Sequence, residues 1–220
     1  MHPGKSSPGN ISDLIYIRKK PLFPISWLQK QDYCEYQIYL ENIKGVAVQP
    51  TRAMTQGAQE HEQLYTRFAE KARPATVEEM LSQSKAANLY SREFRVVDTK
   101  HGIYGLIDEI WLTPQGFLVI DDKPGTRAYL SNIHQVFGYC LAYEAIIPEG
   151  DARPIMGALR ERGTDNIYWQ SPFNAAAREE IVLIVEHIHS LLEGKEPFTS
   201  TNNHNKCQVC RFSLNCDRKL

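Results

Sequence analysis

Two neighbouring apolar runs, each interrupted or ended by carboxylates, limit what this chain can fold into. The first is Tyr104-Gly105-Leu106-Ile107-Asp108-Glu109-Ile110-Trp111 and the second Phe117-Leu118-Val119-Ile120-Asp121-Asp122-Lys123. Between them, Thr113-Pro114-Gln115-Gly116 has the composition of a turn. The pattern predicts a β-hairpin. Alternation along the second strand puts Asp121 and Lys123 on the face that also carries Phe117 and Val119. Charges at the end of an apolar strand are costly to bury unless they neutralise one another or bind a metal. The hairpin is therefore both a core element and a candidate active site.

The rest of the chain can bury such a hairpin. Its 220 residues suit one domain with a small appendage, and at 42% hydrophobic and 23% charged it can fill a core. No apolar run approaches a membrane span, and the first ten residues lack the apolar core of a secretory signal. These features predict a cytoplasmic protein with no membrane partner. The formal charge of −1 offers no global argument for nucleic-acid binding, although a local basic groove would be sufficient. Arg160 and Arg162 are expected to share a strand face, and Lys206, Arg211, Arg218 and Lys219 gather near the C-terminus; scattered solvated charge accounts at least as well for most of these.

Four segments are expected. Residues 1–24 read as a flexible leader with a basic patch at Arg18-Lys19-Lys20, and Pro21 and Pro24 exclude a helix there. Residues 25–90 read as a helical part: a helix capped by Ser26 and running past Cys34 to Leu40, a second over 51–71, and a third from Thr76 to about Ala87 opened by a capping box at Thr76 and Glu79. In the second helix Gly57 and His61 are four apart, hence on one face. The glycine would let another group come close beside His61; taken alone, the pair reads as a surface histidine behind a tolerated glycine.

Residues 91–196 hold the hairpin, a preceding strand over 92–97, a helix over 130–145, a second hairpin over 154–169 and an amphipathic helix carrying Ile181, Ile184, Val185, Ile188 and Leu191. Gln135 and Tyr139 share a face of the first of these helices, Cys140 reads as a core thiol, and His187 and His189 as partly exposed helix residues. Residues 197–220 form a polar tail with too little apolar surface to hold itself together.

Two constellations carry chemistry. Cys207-x-x-Cys210 with Cys216 supplies three thiolates, and Cys34, 173 residues before Cys207, is the natural fourth. An odd total of five cysteines in a chain of this kind favours metal binding over disulfides. The spacing suits an iron–sulfur cluster or a zinc site, the latter with four thiolates or with His204 in place of one. The second constellation is Asp108, Asp121 and Lys123, with His61 as a possible addition. Paired carboxylates suit Mg²⁺ or Mn²⁺, and the lysine could orient an attacking water or stabilise a pentavalent phosphorus. An Asp–Lys ion pair at a strand end is the plain alternative.

Asp108 followed thirteen residues later by Asp121-x-Lys123 resembles the PD-(D/E)XK nuclease pattern, with Ile107 where that pattern has proline. The order Cys34, Gly57-x-x-x-His61, Gly105-x-x-Asp108, Asp121-x-Lys123, Gln135-x-x-x-Tyr139 and Cys207-x-x-Cys210 with Cys216 resembles the RecB-like branch. One early and three late cysteines are similar to iron–sulfur nucleases of the AddB type. At this length the chain most resembles the CRISPR-associated protein-four family of small exonucleases, over about residues 26–217. The resemblance implies an α/β fold, a restriction-endonuclease-like mixed sheet flanked by helices. A 4Fe-4S cluster on Cys34, Cys207, Cys210 and Cys216 would join the helical part to the tail.

The resemblance further implies His61, Asp108, Asp121 and the backbone carbonyl of Asp122 as ligands of Mn²⁺ or Mg²⁺. It casts Lys123 as the catalytic lysine, and Gln135 and Tyr139 as residues that position it or the DNA. The implied activity is 5′ to 3′ digestion of single-stranded DNA, trimming fragments for a CRISPR array beside the adaptation integrase. A stand-alone RecB-like repair nuclease, or a non-catalytic iron–sulfur DNA-binding scaffold, are the other readings.

Overall fold

The computed structural model describes residues 15–17 and 20–220. In chain order the elements are β1 (Tyr16–Ile17), β2 (Lys20–Pro21), β3 (Phe23–Pro24), α1 (Ser26–Cys34), α2 (Tyr36–Ile38), a π-helical turn (Tyr39–Ile43), α3 (Arg52–Ala69), α4 (Val77–Gln83), β4 (Leu89–Asp98), β5 (Ile103–Thr113), β6 (Gly116–Lys123), α5 (Leu130–Glu144), β7 (Ile155–Glu161), β8 (Ile167–Pro172), α6 (Ala175–Leu192) and α7 (His204–Gln208). It is an α/β fold with a mixed six-stranded sheet flanked by helices. No helix of the described residues is long and apolar enough to cross a membrane.

The predicted hairpin is β5–β6, closed where Thr113 Oγ1 accepts from Gly116 N at 3.1 Å. β6 continues the sheet in parallel with β7, and β7 pairs antiparallel with β8. β4 borders one edge of β5 along its length. The other edge is shared. β6 pairs with β5 only from Glu109 onward, and β3 pairs with it at Ile103 and Tyr104. Residues 105–108 therefore have no ladder partner on that side, and this gap is where Asp108 sits.

A second irregularity falls at the same level. Ile103 and Ile107 are buried before Asp108, but Ile110 and Leu112 after it, so the buried face of β5 changes parity there. In the facing strand Glu93 has φ +50°, a left-handed conformation costing a non-glycine residue roughly 1 kcal/mol. Both strands exchange faces together. α5 packs on one face, with Tyr143 against Phe94 and Phe117. α3 lies on the other, where Phe68 meets Tyr90. The exchange lets side chains from both helical layers reach one strand end.

The capping box appears as predicted, with Thr76 and Glu79 each bonding the other's backbone, although α4 stops at Gln83. The first helix differs: Ile25 occupies the cap position, α1 stops at Cys34, and short turns carry the chain on to Ile43. The leader differs too. Residues 1–14 and the Arg18-Lys19 part of the basic patch lie outside the described residues. Leu22 and Phe23 are core residues, because Pro24 occupies a strand end that needs no interior ladder donor.

One apolar core runs from Phe23 to Phe212. Among the described residues, side chains from each of the four predicted segments enter that core. The tail is less polar in effect than its composition implies, because Phe198 and Phe212 are buried in that core. Glu35 ties it down further, accepting from Thr199 Oγ1 at 2.7 Å and from His187 Nε2 at 2.9 Å.

Candidate active site

Local geometry explains the glycine in each motif. A Cβ at Gly105 would lie 2.6 Å from the Tyr139 ring, so the missing side chain lets α5 settle on the gap in β5. A Cβ at Gly57 would lie 2.7 Å from Arg162 NH1, so glycine there leaves room for that guanidinium against α3. The group admitted beside His61 is thus the Arg162 guanidinium, a partner the sequence did not reveal. Arg162 is also tied to the hairpin: its N donates to Lys123 O at 2.8 Å and its NH2 to Asp122 O at 3.1 Å.

These approaches gather the predicted residues in two linked groups. In the first, His61 Nδ1 is 3.5 Å from Asp108 Oδ1 and 3.8 Å from Glu93 Oε1, and it has no hydrogen-bond partner though buried. Burial, then the Arg162 charge, holds the imidazole below its ordinary value. It is neutral near pH 7, the state in which a ring nitrogen can ligate a metal. Asp108 Oδ2 accepts from Asp122 N at 2.7 Å, replacing a ladder bond across the gap. Burial, then the Asp121 charge, pushes the Asp108 carboxyl well up. A cation between such carboxylates reverses that cost.

In the second group Lys123 Nζ contacts Asp121 Oδ2 at 2.6 Å and donates to Gln135 Oε1 at 2.8 Å. Gln135 Nε2 in turn donates to Tyr139 OH at 3.3 Å. Burial pushes the Tyr139 phenol far up, so it stays protonated. Glu93, which no sequence motif picked out, faces His61 because of its left-handed backbone.

His61, Asp108 and Asp122 each offer a ligand atom within 4.8 Å of the others'. The Asp122 carboxylate is nevertheless committed elsewhere. It accepts from Arg92 NH2 at 2.8 Å and from Arg160 Nε at 2.8 Å, while both arginines also bond Glu109. Burial opposes its ionisation, but hydrogen bonds and charge from Arg160, then from Arg92, hold its carboxyl below the usual range. Its backbone oxygen accepts from Arg162 NH2. Asp121 leans towards Lys123 instead of joining the compact trio. Arg160 and Arg162, expected to share a strand face, both reach the hairpin's end, Arg160 buried and Arg162 half-buried.

Cys34 and the three cysteines of the tail motif line one cavity. Thr201 N points at Cys34 Sγ and Gln37 Nε2 at Cys210 Sγ, each at 3.4 Å. Among the described residues no three of the sulfurs lie within 4.8 Å of one another. A single zinc would hold its thiolates about 3.8 Å apart, given Zn–S bonds of about 2.3 Å. Burial, then the charges of the other three cysteines, pushes the Cys210 thiol up. His204 is not in the lining; it bonds Gln208 at 2.9 Å on the surface. Cys140 is a fully buried core thiol. His189 is buried rather than partly exposed, with Nε2 held 2.7 Å from His101 O.

No known family profile matches the chain, and neither does any curated protein. Among solved structures the chain is similar to one titled "Crystal structure of SSO0001", at 14% identity over 93% of this chain and 90% of that one, with a TM-score of 0.46.

The ion network beneath the site should be the acid-sensitive part of the fold. Arg160→Ala leaves Asp122 and Glu109 short of a buried partner and is expected to cost about 3–5 kcal/mol in urea unfolding at neutral pH. Because the Asp122 carboxyl is depressed, its contribution is present above about pH 4 and is lost as pH falls through its folded value. Wild-type stability should therefore drop below about pH 4, and the variant should lose less over the same range. A cost under about 1 kcal/mol would mean that the network does not hold the strand ends.

Proposed function

We propose that the chain is a metal-dependent deoxyribonuclease carrying a 4Fe-4S cluster. The supporting observation is the convergence of His61 and Asp108, from α3 and β5, on the strand end where Lys123 is gripped by Asp121 and Gln135. An isolated Asp–Lys pair would need neither a histidine with a buried, unpartnered ring nitrogen nor a glutamine–tyrosine relay. His61, Asp108, Asp121 and the Asp122 carbonyl are the proposed ligands of Mn²⁺ or Mg²⁺. A cation bound there supplies an ionised water and neutralises charge on a phosphate oxygen.

The chain's own residues do the positioning. Lys123 Nζ has three donor hydrogens. Gln135 takes one, and Asp121 pairs with the charge at 2.6 Å without a hydrogen bond, which leaves donor capacity for the attacking water or a phosphate oxygen. Tyr139 fixes Gln135, and Gly105 lets Tyr139 lie close enough to do so. The Asp122 carboxylate is held by Arg92 and Arg160, and alternation along β6 turns the two flanking side chains, Asp121 and Lys123, the other way.

The cysteines fit a polynuclear cluster better than one metal ion, because they enclose a single cavity without their sulfurs converging. Single-stranded DNA as substrate, 5′ to 3′ polarity, a place in CRISPR spacer acquisition beside the adaptation integrase, and the alternative of a repair nuclease all come from the sequence resemblance.

Incubated with labelled single-stranded DNA and Mn²⁺, the wild type should degrade it, and Asp121→Ala and Lys123→Ala should each be slower on the order of 10²-fold or more. Equal degradation by all three, or by none, would sink the assignment. Purified without oxygen, the protein should be brown, with broad visible absorption that Cys207→Ala abolishes. A colourless protein holding one zinc per chain would refute the cluster.

A further inference from the structure

A groove of about 990 Å³ leads away from Lys123. One wall is the loop that follows β6, exposed throughout 124–130. The opposite wall joins α1 to the cysteine tail. Its chemistry is unlike the chain as a whole. Arg127 stands over the ring of Tyr129, 4.9 Å from its centroid, and Tyr129 is 52% exposed. Across the groove the arrangement recurs, with Lys206 Nζ 5.2 Å from the centroid of Tyr33. Lys206 also donates to Asp32 O at 3.0 Å, and Tyr33 OH donates to Lys206 O at 2.8 Å, so that wall is fixed in place.

The charge balance inside the groove is positive. Lys123, Arg127 and Lys206 face one acid, Asp32, whose carboxylate is bonded to His134 Nδ1 at 2.6 Å. That contact compensates the acid, since hydrogen bonds and charge from Asp32 and Glu180 raise the His134 imidazole against the effect of burial. α5 begins on the same wall without a side-chain cap, and its first turn lines the groove. Uncapped first-turn amides favour negative charge.

We infer that this groove is the path by which single-stranded DNA reaches Lys123, with bases stacking on Tyr129 and Tyr33 and phosphates meeting Arg127 and Lys206. The inference rests on the nuclease reading of the strand end it leads to. Alternating cations and aromatic faces suit a flexible polyanion with exposed bases, because only unpaired bases offer both faces to a ring. The net charge of −1 conceals this local excess.

The test is fluorescence anisotropy with a fluorescein-labelled oligodeoxythymidylate in EDTA, where no hydrolysis occurs. Tyr129→Ala should weaken binding by roughly 5- to 100-fold, the loss of one stacked base, while Tyr129→Phe binds as the wild type does. Arg127→Ala should flatten the dependence of log affinity on log salt by about 0.7. Both residues are exposed, and unchanged thermal melting confirms that the variants fold. A 4-thiothymidine oligonucleotide should crosslink to peptides containing Tyr129 or Tyr33.

Affinity and salt dependence unchanged in both alanine variants, crosslinks mapping elsewhere, a duplex bound as well as the single strand, or no binding by the wild type would overturn the groove. Binding that depends on Tyr129 without any Mn²⁺-dependent hydrolysis would overturn the nuclease reading and leave the groove standing. Hydrolysis that depends on Asp121, with binding indifferent to Tyr129, would do the reverse.

Discussion

The site depends on a buried ion network that is not itself part of it. Arg92, Glu109, Asp122 and Arg160 come from four neighbouring strands and bond one another on the α3 face of the sheet. Two positive and two negative charges balance there, which is what makes their burial tolerable; any one of them alone would be expensive. The network fixes the face taken by the Asp122 side chain. Alternation then directs Asp121 and Lys123 to the opposite face, towards α5. The strand ends are held by charge at the level where β5 loses its ladder and both β4 and β5 exchange faces. Sheet regularity is given up where the candidate ligands converge, and the arginines keep the strands together.

Much of this was legible locally. The hairpin followed from two apolar runs around Thr113–Gly116, and Thr76 with Glu79 announced α4 by chemistry confined to one turn. The candidate ligands were legible because their spacing is a pattern along the chain. What could not be read was produced by contacts between distant segments. Arg160 looked like a solvated charge because Arg92, Glu109 and Asp122 meet it only after four strands assemble. Gly57 was ambiguous because its reason, Arg162, lies more than a hundred residues on. Glu93 had no signal, since a positive φ in a strand of ordinary residues leaves no mark on composition. Pro24 concealed β3, a two-residue strand beside a gap that only the finished sheet defines.

The cysteine tail is the other long-range device. Its triplet was plain in sequence, and the structure brings Cys34 to the same cavity. Phe198 and Phe212 enter the main core, and Glu35, just beyond α1, is bonded by both the tail and α6. α1 is therefore the element through which the cavity, the tail and the groove wall at Tyr33 meet. That arrangement gives a polar, asparagine-rich segment a fixed position.

The account turns on a cation held at the gap in β5, beside the end of β6. Anomalous diffraction at the manganese edge, from crystals grown with Mn²⁺, tests this directly. The predicted result is a peak within ligand distance of His61, Asp108, Asp121 and the Asp122 carbonyl, absent from crystals of His61→Ala. Ordered density for these side chains with no peak among them, or a peak that survives the loss of His61, would contradict it.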